Sequence, residues 1–338
     1  MQHKPENKFE NIAQRIIVTV VVLLALFILN KGMTGELPQV LLMLKTPKMQ
    51  VFTIVLLAIL LEGLTFLLLG SCLSGAIEVF VPGEFLEKRF PKKKIPSALS
   101  GALLGIVFPV CSCGNIPLTR RLIKKGVPVT GAISYLLAAP IINPITVAST
   151  IMAFSSLKSI WLERVGIAFL VACISGLIFS RYDKSQILKD LSTEADSCSH
   201  HHTSQNKIVR VLQHAEHDFF LTGKYFVIGA IIASLFQTVI PRTILGNLGQ
   251  NHFLSVLLLG LLGMLFSLCS FADAFVVSTF SSFPSVAKVV FMTAGPMIGA
   301  SIMFLYFGAF KKKFTGRLIL TVACLLLLIS VTRIIMGG

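Results

Sequence analysis

Residues 102–115, ALLGIVFPVCSCGN, recur without a gap as residues 260–273, GLLGMLFSLCSFAD. The offset between the copies is constant at 158 residues, and six of the fourteen positions are identical. The identical positions include two polar pairs, Cys111 with Cys269 and Ser112 with Ser270. Asn115 at the end of the first copy falls opposite Asp273 in the second. A membrane chain built twice from one unit commonly has its binding site where the copies meet. We therefore expect a site of thiols, hydroxyls, an amide and a carboxylate.

The composition is that of an integral membrane protein, with 54% hydrophobic and only 13% charged residues. Several apolar runs are long enough to cross the hydrocarbon of a bilayer, which takes roughly 20 residues of helix. Two further apolar segments, 97–118 and 253–280, are interrupted by proline or glycine. Each of these either crosses the membrane or enters it and returns. The full spans are predicted near residues 16–30, 51–80, 127–154, 160–180, 219–240, 287–310 and 318–336.

The distribution of Lys and Arg decides between the two courses, because loops on the cytosolic side of a membrane are rich in them. If both segments return and the N-terminus is cytosolic, 21 basic residues lie inside and 8 outside, with Arg164 assigned to an outside loop. If both segments cross, the division is 15 to 14. We therefore predict two re-entrant hairpins that enter from opposite sides, so that the two copies are inverted.

The copies extend beyond the hairpins. Val81-Pro82 matches Ile240-Pro241, and residues 138–143 resemble residues 294–299 after a two-residue shift. The predicted fold is an all-α integral membrane protein, an inverted repeat of the transporter type with about seven spans plus two re-entrant hairpins. Its predicted parts are an N-terminal span and loop (1–50), a first repeat (51–180), a polar, loop-like cytosolic linker (181–218) and a second repeat (219–338).

The formal net charge of +15 does not indicate a nucleic-acid partner. The basic blocks border apolar segments, as cytosolic loops do. The apolar run after Arg15 lacks a small-x-small cleavage site, so we expect an uncleaved first span. Seven cysteines, an odd number that lies mostly in apolar segments, predict free thiols rather than a disulfide framework.

The cysteines at the hairpin breaks are the strongest candidates for a binding site. Cys111 and Cys113 lie between Pro109 and Gly114, where a helix is expected to break, and Cys269 has the matching place in the second copy. Thiolates are soft ligands that select Cu(I), Zn(II) or trivalent arsenic over hard ions. The alternative is that these cysteines pack as small apolar residues. That interpretation is preferred for the isolated cysteines within ordinary spans, Cys72, Cys173 and Cys324.

Two carboxylates fall inside apolar segments, Asp273 in the second hairpin and Glu62 in the span 51–80. A charge within the membrane is costly, so it normally faces a cavity or has a function. Proton coupling is the predicted role of both. The alternatives are that Asp273 caps a helix end, and that Glu62 pairs with a basic residue such as Lys224.

Two further groups remain open. Asn143 interrupts the span 127–154, with Gly295-Pro296 as its expected partner break, and Asn143 and Thr146 either contact a substrate oxygen or belong to a simple proline kink.

The linker carries Cys198, His200, His201 and His202, which resemble a metal-capturing tract. Their spacing fits no defined zinc module, so a flexible loop of incidental affinity is the alternative.

Three motifs in order, residues 108–114 (FPVCSCG), 138–144 (AAPIINP) and 269–275 (CSFADAF), resemble the bacterial predicted-permease family that includes the ArsP-type organoarsenical efflux permeases. The resemblance covers roughly residues 51–310. It implies a transporter of the bacterial inner membrane, rather than an enzyme, with no cofactor. It also implies that Cys111, Cys113 and Cys269 are the arsenic-binding thiols.

The expected function is export of a thiophilic solute, most readily a trivalent organoarsenical, by alternating access at a midplane site. Ser112, Asn143 and Ser270 would complete the site. The chain has no GxxxxGK[ST] motif, so ATP is not expected to drive transport directly. One alternative is a thiol–disulfide carrier in which Cys111 or Cys113 exchanges electrons with Cys269. Another is a soft divalent metal exporter with the linker tract as collector. The partners expected are the lipid bilayer and a small solute, with no prediction of oligomeric state.

Overall fold

The structure is a computed structural model, and it describes residues 47–155, 159–189, 207–239, 252–280 and 282–335. Within these ranges the regular structure is helical, and the single β-bridge joins Leu188 to Phe310. The helices of the first half are α1 Pro47–Phe80, α2 Gly83–Arg89, α3 Lys94–Val107, α4 Ser112–Lys124, α5 Val129–Ile142, α6 Pro144–Ala153, α7 Ile160–Ile178 and α8 Lys184–Ile187. Those of the second half are α9 Lys207–Val239, α10 His252–Phe266, α11 Ala272–Ser278, α12 Ser285–Ile298, α13 Ala300–Ala309 and α14 Lys312–Ile335.

Six helical stretches of the described chain are long and apolar enough to cross a membrane, and two shorter apolar helices accompany them. They coincide with six of the seven predicted spans, and the seventh, 16–30, lies outside the described residues. The chain is therefore an all-α membrane protein. The six stretches are Lys48–Phe80, Val129–Ala153, Ile160–Arg181, Lys207–Val239, Ser285–Ala309 and Lys312–Ile335.

The first hairpin enters and returns. Helix α3 runs parallel to α5, because Gly101 lies against the backbone of Gly131 and Gly105 against that of Ala139. Helix α4 ends just before α5 begins. The start of α3 and the end of α4 are therefore at the same end of α5, which is the re-entrant course predicted from the charges.

The second hairpin follows the same course. Helix α10 runs parallel to α12, since Gly260 lies against Val290 and Gly263 against Phe291 farther along. Helix α11 ends shortly before α12 begins, so both arms have their outer ends near the start of α12. Irregular backbone at this depth is tolerated where it is buried in protein or lines a cavity.

The two halves also share a broken helix of the same dimensions. Helices α5 and α6 have 14 and 10 residues and meet at Asn143 (φ −64°, ψ 147°). Helices α12 and α13 have the same lengths and meet at Gly299 (φ −62°, ψ 155°). The partner break thus lies at Gly299, not at the predicted Gly295-Pro296. Pro296, like Pro140, is accommodated within its helix near the C-terminal end.

Corresponding helices of the two halves pack antiparallel, as inverted repeats require. In the pair α1 and α9, Gly63 lies against Phe226, and Gly75 farther along α1 lies against the earlier residue Val211. The pair α7 and α14 is held by ion pairing of Glu163 with Arg333 at one end (2.9 Å). Helices α5 and α12 form the buried centre, where every residue from 130 to 142 and from 286 to 298 is buried.

Helix α9 begins at Lys207, twelve residues before the predicted span. Residues 207–218 were expected in the loop-like linker, because polar and charged residues dominate them. They are helical instead, since this polar turn packs on α1 and buries His214 and Asp218.

Candidate functional site

The broken tips of the hairpins lie at the seam between the two halves. The first tip spans residues 108–111, between α3 and α4, and the second spans 267–271, between α10 and α11. The return arm α4 packs on α13, and the return arm α11 packs on α6. Each hairpin therefore contacts the second part of the broken helix that belongs to the other half.

The cysteines of both tips gather around one carboxylate. Cys111 precedes α4 in extended conformation (ψ 168°), and its thiol interacts electrostatically with that of Cys113. All three cysteines interact electrostatically with Glu62 of α1, and Cys113 also interacts with Cys269. All three cysteines are partly buried. The structure thus brings Glu62, one of the predicted proton-coupling residues, to the predicted thiol site.

The thiols are neighbours without forming a closed ligand set. Among the described residues, no three His, Cys, Asp or Glu side chains are arranged to hold a metal ion. The Sγ atom of Cys269 accepts a hydrogen bond from the backbone of Phe271 (3.4 Å). The isolated cysteines are elsewhere, with Cys173 buried against the carbonyl of Ala98 (Sγ–O 3.9 Å).

Asp273 forms a buried ion pair with Arg164, a residue that the sequence analysis placed wrongly. Arg164 was assigned to an outside loop because it borders the apolar run of α7. The structure places it inside α7, with its Nη2 2.7 Å from Oδ2 of Asp273. The two side chains are only 1% and 2% exposed. The sequence shows only that Arg164 lies at the edge of an apolar run. It does not identify Asp273, 109 residues away in the chain, as the partner of Arg164.

Arg164 also fixes the surroundings of Asp273. Its Nη1 donates to Oγ1 of Thr150 in α6 (2.8 Å). Its Nη2 donates to the carbonyl of Ser270 in the second tip (3.1 Å) and to that of Met292 in α12 (3.0 Å). The guanidinium of Arg164 therefore connects α7 to the second tip and to helices α6 and α12.

The corresponding place in the first half is neutral. Asn115 donates through Nδ2 to the carbonyl of Leu136 in α5 (2.8 Å). Leu136 and Met292 are equivalent under the two-residue shift that relates the broken helices. In the first half, the amide of Asn115 alone links the return arm α4 to the carbonyl of Leu136. In the second half, Asp273 and Arg164 together link α11 to the carbonyl of Met292.

The break at Asn143 touches the second tip through Thr146. The side chain of Asn143 caps α6 by accepting from the backbone N–H of Thr146 (2.8 Å). Oγ1 of Thr146 donates to the carbonyl of Pro140 (3.0 Å) and lies 3.3 Å from Oγ of Ser270. Ser270 is thus at the seam, whereas the Asn143 oxygen is engaged in capping. Ser112 is buried in the first turn of α4.

A second charge network lies at the far end of α4 and was not predicted. Nη2 of Arg121 pairs with Oδ2 of Asp218 in α9 (2.9 Å). The same carboxylate oxygen accepts from Oγ of Ser74 in α1 (2.7 Å). Glu78 of α1 is 3.4 Å from Nη1 of Arg121. These contacts join the first hairpin to both long antiparallel helices. The predicted metal ligands Cys198, His200, His201 and His202 lie outside the described residues.

Comparison with known proteins finds a family of permeases and two similar relatives. The profile of a family described as a predicted permease, ArsP_1, matches residues 48–334. The "UPF0718 protein YcgR" of Bacillus subtilis (strain 168) is 40% identical over 279 residues, which cover 81% of this chain and 93% of that protein. A Streptococcus mutans protein named "Putative two-component membrane permease complex subunit" is 36% identical over 284 residues, 80% of this chain and 93% of that protein. No solved structure gives a significant match.

Proposed function

The chain belongs to the ArsP_1 predicted permease family and is a multi-pass membrane transporter, and we propose that it exports a small thiophilic solute, most readily a trivalent organoarsenical. The observation that carries this proposal is the meeting of Cys111, Cys113 and Cys269 beside Glu62 at the seam. Soft thiolates select arsenic(III) and soft metal ions over the abundant hard cations. We place the protein in the bacterial inner membrane with its N-terminus in the cytosol.

The cargo is held at the hairpin tips in this proposal. Methylarsenite carries two hydroxyl groups on arsenic, so two of the three tip thiols can replace them, and the hydroxyls leave as water. Ser112 and Ser270 supply hydroxyls next to the thiols. The described side chains do not form a three-ligand set, so the tips have to approach one another around the cargo. Hairpins with irregular backbone are the parts of an inverted-repeat transporter that can make such a movement.

Alternating access follows from the inverted relation of the halves. The return arms α4 and α11 each pack on the other half's broken helix, so rocking of one half against the other moves both tips. The site would then open to one side of the membrane at a time.

Proton coupling is proposed to run through Glu62 and Asp273. Glu62 interacts electrostatically with Cys269, so it can take the thiol proton as sulfur binds arsenic and pass it to the hydroxyl group that leaves the arsenic as water. Asp273 is bound to Arg164, and its protonation would weaken that pair. A charged group inside a membrane protein normally has such a role or a cavity to face.

The test is growth of an arsenic-sensitive bacterium on methylarsenite. Cells that express the chain should tolerate more methylarsenite than cells with an empty vector. Cys111→Ser and Cys269→Ser should return tolerance to the vector level, whereas Cys173→Ser, which changes a buried isolated thiol, should not. Equal tolerance for the chain, both tip variants and the empty vector would contradict the arsenical assignment. Assays with zinc or copper would then test the metal cargo.

A further inference from the structure

Among the described residues, the second hairpin has a charge pair at its tip, whereas the first has a neutral amide at the corresponding place. We propose that Arg164 positions this tip through Asp273, and that loss of the charge on Asp273 by protonation releases it. This inference rests on the proposed transport function and names the residue through which a proton would move the thiol site. Arg164 acts through Asp273 and Ser270, so it is a positioning residue.

The contacts of Arg164 join the second tip, which has to move in the proposed cycle, to helices α6 and α12, which stay in place. On the moving side are the carbonyl of Ser270 (3.1 Å) and Oδ2 of Asp273 (2.7 Å). On the fixed side are Thr150 of α6 and the carbonyl of Met292 in α12. Arg164 also interacts electrostatically with Cys269, one residue before Ser270. A displacement of the tip therefore has to break contacts to a single guanidinium.

The link depends on charge because arginine stays protonated in proteins. A carboxylate accepts from a guanidinium in a charge-assisted hydrogen bond, which is roughly twice as strong as a neutral one. Once Asp273 is protonated, Arg164 is a buried cation without a counter-charge, which is a costly arrangement. The chain relieves that cost when the tip moves and water reaches the guanidinium.

The pair is held at one point, which suits a contact that has to open. Oδ1 of Asp273 and Nε of Arg164 are buried without a hydrogen-bond partner among the described residues. A bidentate pair, in which both carboxylate oxygens accept, would hold the tip more firmly. Protonation cannot release the corresponding contact of the first hairpin, because Asn115 makes that contact as a neutral amide.

Few other charges bear on Asp273. Helices α12 and α6 pack against α11. Helix α6 has no titratable side chain, and α11 has none besides Asp273. Lys288 is the only titratable side chain of α12 and lies one turn before Met292. Helix α7 contributes Arg164 and, one residue earlier, Glu163, which pairs with Arg333 instead. Cys269 and its neighbour Glu62 complete the set on the side of the tip.

The test measures how fast Cys269 is alkylated by N-ethylmaleimide in membranes. The parent retains Cys269 alone, with serine in place of Cys72, Cys111, Cys113, Cys173, Cys198 and Cys324. At a fixed pH, Asp273→Asn should label about tenfold faster than the parent, because a shift between two conformers by one charge contact has about that size. Arg164→Gln should label faster as well, and Arg164→Lys, which keeps the charge but not the contacts of both guanidinium nitrogens, should label more slowly than Arg164→Gln. Parental rates for folded Asp273→Asn and Arg164→Gln would overturn the proposal.

A double variant keeps the test decisive if the single variants fail to fold. Arg164→Gln/Asp273→Asn removes both charges and leaves a neutral seam like that at Asn115. The labelling rate of Cys269 in the parent, relative to the double variant at the same pH, should rise as the pH is lowered, and the comparison at one pH removes the part of the thiol chemistry that the two proteins share. A constant ratio would overturn the proposal. Labelling of Cys269 does not require cargo. A negative methylarsenite assay would therefore contradict the proposed cargo without contradicting the role of Arg164 and Asp273.

Discussion

Asn115 and Asp273, which correspond under the 158-residue repeat, connect to equivalent carbonyls of two equivalent helices, Asn115 directly and Asp273 through Arg164. The two side chains differ by one group, an amide against a carboxylate. A carboxylate cannot donate to a carbonyl, so the second half needs a donor between them, and Arg164 supplies it. The repeat is therefore symmetric in backbone course and asymmetric in charge at its centre.

The close approach of α1 and α4 next to the thiols predicts that Gly70 cannot carry a side chain. A Cβ atom at Gly70 would clash with Cα of Gly114, and this neighbour is backbone that cannot rotate away. Gly70→Ala should lower the free energy of unfolding by about 1–3 kcal/mol, because the helices have to separate. Gly166→Ala is the matched control, since nothing lies within 4 Å of its Cβ position. Thermal unfolding in detergent measures both, and equal midpoints would contradict the prediction.

The buried network at Asp218 predicts a loss of stability when its carboxylate is removed. Removing one partner of a buried ion pair costs about 3–5 kcal/mol, and the value for Asp218→Ala should be at the low end because Glu78 still faces Arg121. Asp218→Asn should cost less, since it keeps an acceptor for Ser74 and Arg121.

Glu163→Gln is the control for that network, because its pair with Arg333 is partly exposed and should contribute less than about 1 kcal/mol. Unfolding midpoints in detergent should fall in the order wild type, Glu163→Gln, Asp218→Asn, Asp218→Ala. An Asp218→Ala protein as stable as Glu163→Gln would refute the assignment.

The cap at Asn143 predicts a small and specific effect. Asn143→Ala removes the acceptor for the backbone N–H of Thr146 and should cost about 1 kcal/mol, whereas Asn143→Ser keeps an acceptor and should cost less. Ser159→Ala is the matched control, since Ser159 precedes α7 without a side-chain capping bond. If Asn143→Ser unfolds like the wild type yet fails to confer tolerance, Asn143 contacts the cargo as well as capping α6.

The inverted arrangement predicts which side of the membrane each hairpin opens to. Lys93 precedes α3 and Ser282 lies before α12, and both are exposed. In a variant without other cysteines, Lys93→Cys should react with a membrane-impermeant maleimide only from the cytosolic side, and Ser282→Cys only from the opposite side. Inside-out and right-side-out vesicles give the measurement. Reaction of both from the same side would exclude inversion.

The sequence was informative where the signal is local or repeated. Hydropathy located the described spans, the gapless motif located both tips, and the charge count indicated the return of both hairpins. Arg164 could not be assigned in this way, because a basic residue at the edge of an apolar run is the usual mark of a loop. The start of α9 was missed for a related reason, since its polar first turns are stabilised by Asp218 and its partners on other helices.

The antiparallel packing of α1 on α9 and of α7 on α14 has an energetic consequence for a working cycle. Two identical halves related in this way would give the inward-open and outward-open conformations equal free energy. Among the described residues, one departure from that balance lies at the seam, where a salt bridge replaces an amide. If the proposed alternating access holds, we expect one resting orientation to be preferred and the ionisation of Asp273 to shift the equilibrium between the two orientations.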